Sequence, residues 1–238
     1  GNVASRYDTA VDLSMLNKVI SHNAADLTVT VEAGITLTAL KDVLASQGQF
    51  LPIDAALYER ATIGGILASG ASGTLKWHNG SARDFVIGMK VVQADGRVVK
   101  SGGQVVKNVS GYDMARLHIG SIGSLGIISE VSFKLIPIPR KQATLVTAYN
   151  SIEDAYSAAM DIFNSQVMPL SLTVFNSKAN EIGNLFEKKG NQYLAIKLGG
   201  RPKTLERFVD DTGAICRSAG STNITDISDD DSESFWRC

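Results

Sequence analysis

The fold is most strongly constrained by Pro137 and Pro139, which follow the strand-like run GIISEVSFKLI at 126–136. Proline has no amide hydrogen to donate to a sheet, so a strand that reaches this run has to end there. The residues before the prolines are rich in glycine and in short alternating runs, whereas those after them repeat an order of strand, helix and strand. We therefore predict two domains of the α+β class, residues 1–139 and residues 140–238.

The strands and helices of the first domain are predicted from the spacing of apolar residues. Residues 26–32 (DLTVTVE) alternate apolar and polar side chains, which is typical of a strand with one buried face. Residues 35–48 predict a helix that ends at Gly48, with four apolar residues on one face: Leu37, Leu40, Val43 and Leu44. Residues 85–92 and 97–101 predict a hairpin, because the turn-forming residues QADG separate them.

The second domain contains two similar units. TLVTAYN, SIEDAYSAAMDIFNSQ and LSLTVFN predict a strand, a helix and a strand between residues 144 and 176. YLAIKLGG, PKTLERFVDDTGAICRSAG and STNITDIS repeat this order between residues 193 and 228. Ser151 and Asp154 match a capping box at the start of the first helix, with Asp in place of the usual Glu. We predict a small antiparallel sheet covered by helices.

Composition excludes several classes of partner. The formal net charge of −1, from 23 basic and 24 acidic side chains, gives no basic surface for nucleic acid. No apolar run approaches the roughly 20 residues of a membrane-spanning helix, and GNVASRYDTA has no signal-peptide pattern. Cys216 and Cys238 fit neither a metal site nor a disulfide scaffold, which favours a cytoplasmic protein. The three histidines are scattered, so we predict no metal site.

The run ATIGGILASGASG at 61–73 is unusually rich in small residues. Glycine lets the backbone approach a ligand closely and lets successive amides converge on an anion such as a pyrophosphate. Close helix packing or tight turns explain the same residues equally well. A second glycine run, GSIGSLG at 120–126, does not have the spacing of a Rossmann loop and is followed by a predicted strand rather than a helix.

Three blocks of sequence resemble one family: ATIGGILASGASG, NGSARDFVIGMKVVQADGRVVKSGG, and VVKNVSGYDMARLHIGSIGSLGIISEVSFKLIPIP. Together they are similar to the FAD-binding domain of the PCMH type, found in the vanillyl-alcohol oxidase and p-cresol methylhydroxylase superfamily. The likeness is greatest to the FAD-binding subunit of bacterial glycolate oxidase. The resemblance implies a partial FAD-binding PCMH-type domain, followed by a small α+β domain on the substrate side.

The resemblance also implies which residues contact FAD. The TIGG segment would press its backbone against the flavin and the pyrophosphate, the ASGAS segment would follow in the cofactor channel, and the GSLGII loop would lie at the adenine and ribityl side. Asn79 replaces the aromatic residue that is usual in the family. The implied FAD-binding residues are Thr62, Ile63, Gly64, Gly65, Ser69, Gly70, Ala71, Ser72, Gly80, Asp84, Val86, Gly123, Gly126, Ile127 and Ile128.

Two parts of the family pattern have no match in the sequence. A separate glycine-rich pyrophosphate loop would precede DLSMLNKVI, and relatives would continue beyond SFWRC into the rest of the substrate-side domain. The resemblance therefore implies a piece of a longer protein, truncated at both ends. No catalytic base is identified, although Asn108 and Tyr112 in KNVSGYD are candidates for a functional role.

The function implied by the resemblance is oxidation of a small 2-hydroxy acid, glycolate or lactate, to the 2-oxo acid with hydride transfer to FAD. The chain would be the FAD-binding subunit of a bacterial glycolate-oxidase-like complex, with a second flavin subunit and an iron–sulfur subunit as partners. These partners would hold it at the inner membrane from the cytoplasmic side. Two alternatives stay open: a self-sufficient flavin-dependent dehydrogenase for D-lactate or another 2-hydroxy acid, and a non-catalytic scaffold subunit without flavin.

Overall fold

The computed structural model describes residues 6–103, 113–183, 191–227, 232 and 234–236. The chain divides into two compact units. Unit 1 consists of Gly1–Leu51, Leu57–Ala71 and Ala82–Ile136, and unit 2 consists of Pro52–Ala56, Ser72–Ser81 and Pro137–Cys238. The two domains predicted from the sequence, residues 1–139 and 140–238, stay a prediction.

Strands and helices alternate irregularly along the chain. In order, they are β1 (Val19–Asn23), β2 (Thr28–Glu32), α1 (Leu37–Ala45), β3 (Gln49–Phe50), α2 (Ile63–Ser69), α3 (Lys76–Asn79), α4 (Ala82–Phe85), β4 (Val86–Val92), β5 (Val98–Gly102), α5 (Ala115–His118), β6 (Ile127–Lys134), β7 (Ile136–Pro137), β8 (Lys141–Tyr149), α6 (Ile152–Asn164), β9 (Ser171–Asn176), α7 (Ser177–Gly183), β10 (Gln192–Gly200), α8 (Pro202–Ser218) and β11 (Asn223–Ile227).

The described part of unit 1 contains an antiparallel sheet with the strand order β1-β2-β6-β4-β5. Its register places Val29 opposite Phe133, and places both Val31 and Met89 opposite Val131. All five side chains are buried. Because directly opposed side chains share one face of a sheet, these residues form an apolar face, against which the core of unit 1 is built.

Strand β2 differs from the one-sided pattern predicted for residues 26–32, because its threonines are buried as well. Thr28 is 3% exposed and Thr30 is 9% exposed. The hydroxyl of Thr30 lies 2.8 Å from the hydroxyl of Ser132 on β6. This hydrogen bond offsets the cost of removing both hydroxyls from water, so the polar side of β2 does not need to face solvent.

The hairpin predicted from residues 85–101 is confirmed, and the helix predicted over 35–48 is shorter than expected. Strands β4 and β5 pair across a turn in which Gly96 has a φ of +83°. Helix α1 begins after Thr36, whose hydroxyl accepts a backbone amide at 3.2 Å, and it ends three residues before Gly48. Val43 is 39% exposed, because it lies at the edge of the stripe that α1 buries.

Unit 2 contains a second antiparallel sheet with the strand order β11-β8-β10-β9 among its described residues. Helices α6 and α8 pack against β8 and β10. The shared core includes Tyr149, Ile162, Leu194 and the free thiol of Cys216. The predicted α+β class and both predicted strand–helix–strand orders are therefore confirmed.

Helix α6 begins with the capping box that the sequence predicts. The hydroxyl of Ser151 accepts the amide of Asp154 at 3.1 Å and donates to the Asp154 carboxylate at 2.7 Å. In this variant the acidic side chain binds the cap hydroxyl, which suits the shorter reach of Asp compared with Glu. The contact fixes the residue at which α6 begins, next to the end of β8.

The core of unit 2 encloses the phenol of Tyr149. Its side chain is fully buried, and among the described residues its hydroxyl makes no hydrogen bond of ordinary geometry, although the Thr147 hydroxyl and the Cys216 thiol lie beside it. Burial raises the pKa of Tyr149 above its ordinary value of 10.0, because the phenolate would lose its hydration. Burial also raises the pKa of the neighbouring Cys216 thiol, which keeps it protonated and unreactive.

We predict that Tyr149→Phe increases the free energy of unfolding by about 1 kcal/mol at neutral pH, because it removes an unpartnered buried hydroxyl. Above pH 10 the unfolded wild-type chain loses the Tyr149 proton more readily than the folded chain does. Wild-type stability should then fall relative to the variant by about 1.4 kcal/mol per pH unit, until the pH reaches the raised pKa of the folded state. Urea denaturation between pH 7 and pH 11 measures both effects, and parallel pH profiles would contradict the assignment.

Candidate functional site

Helix α2 begins inside the glycine-rich run, and its first turn is held by hydrogen bonds within unit 1. Thr62 is the N-cap of the helix. Each of the first three helix amides has a protein acceptor: Ile63 N to Ile35 O at 2.9 Å, Gly64 N to Ala33 O at 2.7 Å, and Gly65 N to Thr62 Oγ1 at 3.2 Å. The amides that normally make a helix N-terminus attractive to an anion are therefore already in use.

Gly64 and Gly65 lack side chains for different reasons. A Cβ on Gly64 would lie 2.9 Å from the Cβ of Ala33, so close packing accounts for this glycine. A Cβ on Gly65 would meet only the Thr62 hydroxyl, at 3.1 Å, and Gly65 is exposed. The predicted contact of these residues with the flavin and pyrophosphate stays a prediction, with Gly65 on the accessible face of the helix.

The C-terminal end of α2 contacts the second glycine run. Gly70 ends the helix with a φ of +65°, and a Cβ there would lie 3.4 Å from the Cα of Gly120. The amide of Gly120 donates to Leu67 O at 2.9 Å, and the amide of Ile122 donates to Ala68 O at 2.7 Å. The structure thus places the end of one predicted cofactor-binding segment, 62–71, against residues 120–122, which immediately precede the other segment, 123–128.

The loop between α5 and β6 has an unusual backbone. Positive φ angles occur at Gly120 (+80°), Ile122 (+54°), Gly123 (+72°) and Gly126 (+146°). Ile122 is a β-branched residue in a conformation that is costly for it, and it is 77% exposed. Such strain persists only where the surrounding hydrogen bonds enforce it, and it is frequent at ligand-binding loops.

Two amides of this loop are available to a ligand. Within the part of the chain that the structure describes, the amides of Gly123 and Leu125 have no protein acceptor. Both residues are exposed, and nothing lies within 4 Å of a Cβ built on Gly123. Exposed amides beside left-handed glycines form the kind of concave backbone that binds anionic groups.

The serine hydroxyls of the two segments are less available than the sequence suggests. Ser69 Oγ donates to Gly65 O at 2.7 Å, and Ser124 Oγ donates to Ser121 O at 2.7 Å. A hydroxyl has one proton, so these groups can accept from a ligand while their proton is used by the backbone. The residues present fit FAD through bare exposed backbone and free loop amides, rather than through hydroxyl donors.

Two other predicted residues lie away from the loop. Val86 is at the start of β4, where it pairs with Phe133 of β6. Ile127, at the start of β6, pairs with Val92 at the other end of β4, six residues along that strand from Val86. This corresponds to about 20 Å along the strands. Asp84 lies in α4, just before Val86, and is therefore also remote from the loop, while Ile128 is buried. The FAD contacts of these residues stay predictions.

The end of the run 61–73 belongs to unit 2, where a residue missed by the sequence analysis holds it. The Asp54 carboxylate accepts from Gly73 N at 3.0 Å, from Thr74 Oγ1 at 3.1 Å and from Leu75 N at 3.1 Å. A Cβ on Gly73 would lie 2.5 Å from this carboxylate, so the glycine is required by Asp54. A single aspartate 19 residues upstream carries no motif that could have revealed this contact.

The remaining predicted residues lie either next to α2 and α3 or outside the described ranges. Ser72 is exposed, and Gly80 ends α3 with a φ of +91° and donates its amide to Lys76 O at 3.0 Å. Ala71 donates its amide to Ile66 O at 3.1 Å. Lys107, Asn108 and Tyr112 lie outside the described residues.

In the described ranges, no three His, Cys, Asp or Glu side chains are grouped closely enough to hold a metal ion. None of the described helices combines the length and apolar character needed to cross a bilayer.

Comparison with known proteins identifies relatives of one kind. The family described as "FAD binding domain" matches residues 2–102. Glycolate oxidase subunit GlcD of Bacillus subtilis is 31% identical over 88% of this chain and 46% of its own length. Glycolate oxidase subunit GlcE of Escherichia coli is 35% identical over 68% of this chain and 46% of its own length. D-lactate dehydrogenase of Anaerostipes hadrus is 29% identical over 94% of this chain and 50% of its own length. The chain spans about half the length of these curated relatives.

Solved structures share the fold at lower identity. Alkyldihydroxyacetonephosphate synthase matches with a TM-score of 0.82 and 21% identity, over 99% of this chain and 47% of that protein. p-Cresol methylhydroxylase matches with a TM-score of 0.74 and 18% identity, over 91% of this chain and 48% of that protein. Both similarities concern the fold alone.

We predict that Gly64→Ala and Gly65→Ala differ in their effect on stability, although the residues are adjacent. The new methyl group of Gly64→Ala meets Ala33, so the free energy of unfolding should fall by about 1–3 kcal/mol. Gly65→Ala lies on an exposed helix face, so the change should stay within about 1 kcal/mol of wild type. Urea denaturation of both variants measures the difference, and equal losses would show that Gly64 is not held by packing.

Proposed function

The chain belongs to the superfamily of FAD-binding domains of the p-cresol methylhydroxylase type, with FAD as its cofactor, and from this premise we propose that it serves a 2-hydroxy-acid oxidoreductase. Its relatives carry the names glycolate oxidase subunit and D-lactate dehydrogenase. Glycolate and lactate are both small 2-hydroxy acids. The substrate class we propose is therefore a 2-hydroxy acid of this size, oxidised to the 2-oxo acid.

The main support for the proposal is the contact between the end of α2 and the loop that precedes β6. Gly65 and the cap residue Gly70 expose bare backbone on the accessible side of α2, where Ser69 is the exposed side chain between them, and Gly123 and Leu125 present amides without protein acceptors in the described chain. A long, flat cofactor with an anionic centre needs both features. Held by these residues, FAD would supply the hydride acceptor for oxidation of the substrate's α-carbon.

This chain's own contribution is to bind and orient the cofactor. The loop amides would hold an anionic or carbonyl oxygen, and the bare backbone of α2 would allow close approach without a Cβ clash. The hydrogen bonds from Gly120 and Ile122 to the end of α2 would hold the loop before the cofactor arrives, so less ordering would oppose binding. The predicted domains would divide the work, with residues 1–139 on the cofactor side and residues 140–238 on the substrate side.

The preferred assignment is a subunit of a glycolate-oxidase-like complex. The relative with 35% identity is itself named a subunit of glycolate oxidase. A self-sufficient D-lactate dehydrogenase is the second candidate, because the Anaerostipes hadrus relative matches over 94% of this chain. In the first case a second flavin subunit and an iron–sulfur subunit would receive the electrons, and would hold the protein at the cytoplasmic side of the inner membrane.

We predict that Gly123→Ala weakens FAD binding at least about tenfold, because its methyl group enters the space over the free amides and disturbs a positive φ. Gly96→Ala is the matched control, since Gly96 has a φ of +83° and open space around its Cβ, but lies in the β4–β5 turn. FAD titration of the protein expressed from its complete reading frame measures the affinities. Equal affinity in both variants would contradict the placement of the cofactor at the loop.

The same preparation tests the reaction. Wild-type protein with bound FAD should lose its yellow absorbance when glycolate or D-lactate is added without oxygen, and Gly123→Ala should do so in proportion to its bound FAD. A colourless protein that FAD does not reconstitute would contradict the proposed function. Flavin that neither glycolate nor D-lactate reduces would contradict the substrate class alone.

Helix α6 offers a surface for the partner subunit. Ile152, Tyr156 and Phe163 are 53%, 62% and 53% exposed, and they follow one side of the helix beside its buried face. The ring of Phe163 contacts Trp77 of α3 with 5.0 Å between ring centroids. An apolar row of this kind on a charged protein is typical of a protein–protein contact.

The charges beside this row specify the partner further. Glu153 is exposed and borders the apolar row on its solvent side, whereas Asp161 is exposed on the far side of the helix. Two copies of α6 packed against each other would bring the two Glu153 carboxylates together, which disfavours self-association. We therefore place on α6 a different subunit of the oxidase, with an apolar patch bordered by Lys or Arg.

We predict that replacing Tyr156 and Phe163 together with serine weakens co-purification of the complex at least about tenfold, because two large apolar contacts are lost. Val98→Ser, on β5, is the control, since Val98 is 63% exposed but far from α6 in the sequence. Co-purification with neighbouring gene products, followed by flavin and iron analysis, measures assembly. A complex that survives the double substitution would overturn the α6 surface without affecting the flavin reaction.

A further inference from the structure

The face of the unit 1 sheet opposite to its apolar face carries polar residues in two rows across the strands. The strand register aligns charged residues in one row and small residues in the next. The first row is Glu32, Glu130, Lys90 and Lys100, on β2, β6, β4 and β5. The second row is Thr30, Ser132, Gly88 and Gly102, on the same strands.

The charges in the first row are unevenly paired. Lys90 Nζ lies 2.7 Å from Glu130 Oε1. Lys100 is directly opposite Lys90, and in the described part of the chain it has no salt bridge. Glu32 is engaged elsewhere, because its carboxylate accepts the amide of Lys18 at 2.8 Å. Like charges directly opposite each other destabilise a sheet, and an anion between them removes that cost.

A cavity of about 250 Å³ opens between the two rows. Gly88 and Gly103 line it with backbone, and a Cβ on Gly88 would lie 2.7 Å from the amide nitrogen of Gly103, so this glycine allows the two backbones to pack closely. The polar side chains around it are Ser21, Thr30, Lys90, Lys100, Glu130 and Ser132. This volume is below the range of about 300–1,000 Å³ for drug-sized ligands, so it suits a molecule of a few heavy atoms.

One wall of the cavity consists of buried hydroxyl groups. Thr30 and Ser132 are each 9% exposed, and their hydroxyls are 2.8 Å apart. Hydroxyls both donate and accept hydrogen bonds, whereas the two ammonium groups only donate. Together these groups match a ligand that has negatively charged oxygens at one end. The carboxylate of Glu130 lowers the net charge of the lining to +1, so the lining still attracts an anion.

We propose that this cavity is a binding site for a small oxyanion, a carboxylate or a phosphate group. Lys90 and Lys100 hold the charged oxygens, and the Thr30–Ser132 pair holds a further oxygen of the ligand. Binding relieves the repulsion between the two lysines and is independent of the proposed flavin reaction. Neither the resemblance nor the comparisons assign a ligand to these residues.

The test uses two probes, sodium phosphate and sodium glycolate, in separate titrations of the isotope-labelled protein at constant ionic strength. We expect saturable shifts of the Gly88 and Ser132 backbone amide signals with at least one probe, with a dissociation constant below about 10 mM. The probe that binds more tightly identifies the ligand as a phosphate or a carboxylate. Shifts confined to Gly123 and Leu125, or no saturation with either probe, would overturn the proposal.

Substitutions of Lys100 test whether its positive charge contributes to the affinity for the anion. Lys100→Gln should weaken binding of the better probe by roughly tenfold, and Lys100→Arg should retain most of the affinity. Lys203→Gln, an exposed lysine of α8, is the matched control and should bind as wild type does. Lys100 is exposed and without a salt bridge in the described chain, so its replacement should leave the fold intact. Equal affinity in Lys100→Gln and wild type would overturn the site.

Discussion

Two backbone hydrogen bonds hold the candidate cofactor surface together: Gly120 to Leu67 and Ile122 to Ala68. The last carbonyls of a helix need donors from outside the helix, and here the loop before β6 supplies them. In return, the helix end forces the loop through a succession of left-handed residues, including Ile122. The free amides of Gly123 and Leu125 exist only because the loop is held in this path, so the proposed function depends on the end of α2 rather than on its beginning.

Local patterns in the sequence predicted much of the fold. The β4–β5 hairpin, the capping box of α6 and the strand–helix–strand orders of unit 2 all depend on residues close together in the chain, and all are confirmed. The family resemblance assigned both glycine runs to one FAD site; the structure shows that the two runs touch, and their contact with FAD stays a prediction. Neither source distinguished Gly64, which packs on Ala33, from Gly65, which is exposed.

What the sequence did not predict depends on long-range register. Thr30 and Ser132 are 102 residues apart, and their contact follows from the pairing of β2 with β6. The opposition of Lys90 and Lys100 likewise requires the exact alignment of the hairpin strands, which a turn sequence indicates only approximately. Asp54 is a third case, because a carboxylate that binds a turn 19 residues away has no local signature. In each case a polar group acquires its role from a partner that only the folded chain supplies.

The division of the chain into units has a consequence for biosynthesis. Residues 52–56 and 72–81 belong to the same unit as residues 137–238, and residues 57–71 between them, which contain α2, belong to the other unit. A ribosome that has reached residue 136 has therefore made two short pieces of unit 2 without the sheet that completes it. Folding of that unit waits for residues 137–238, and a protease cut at any single position within residues 1–238 leaves at least one unit divided.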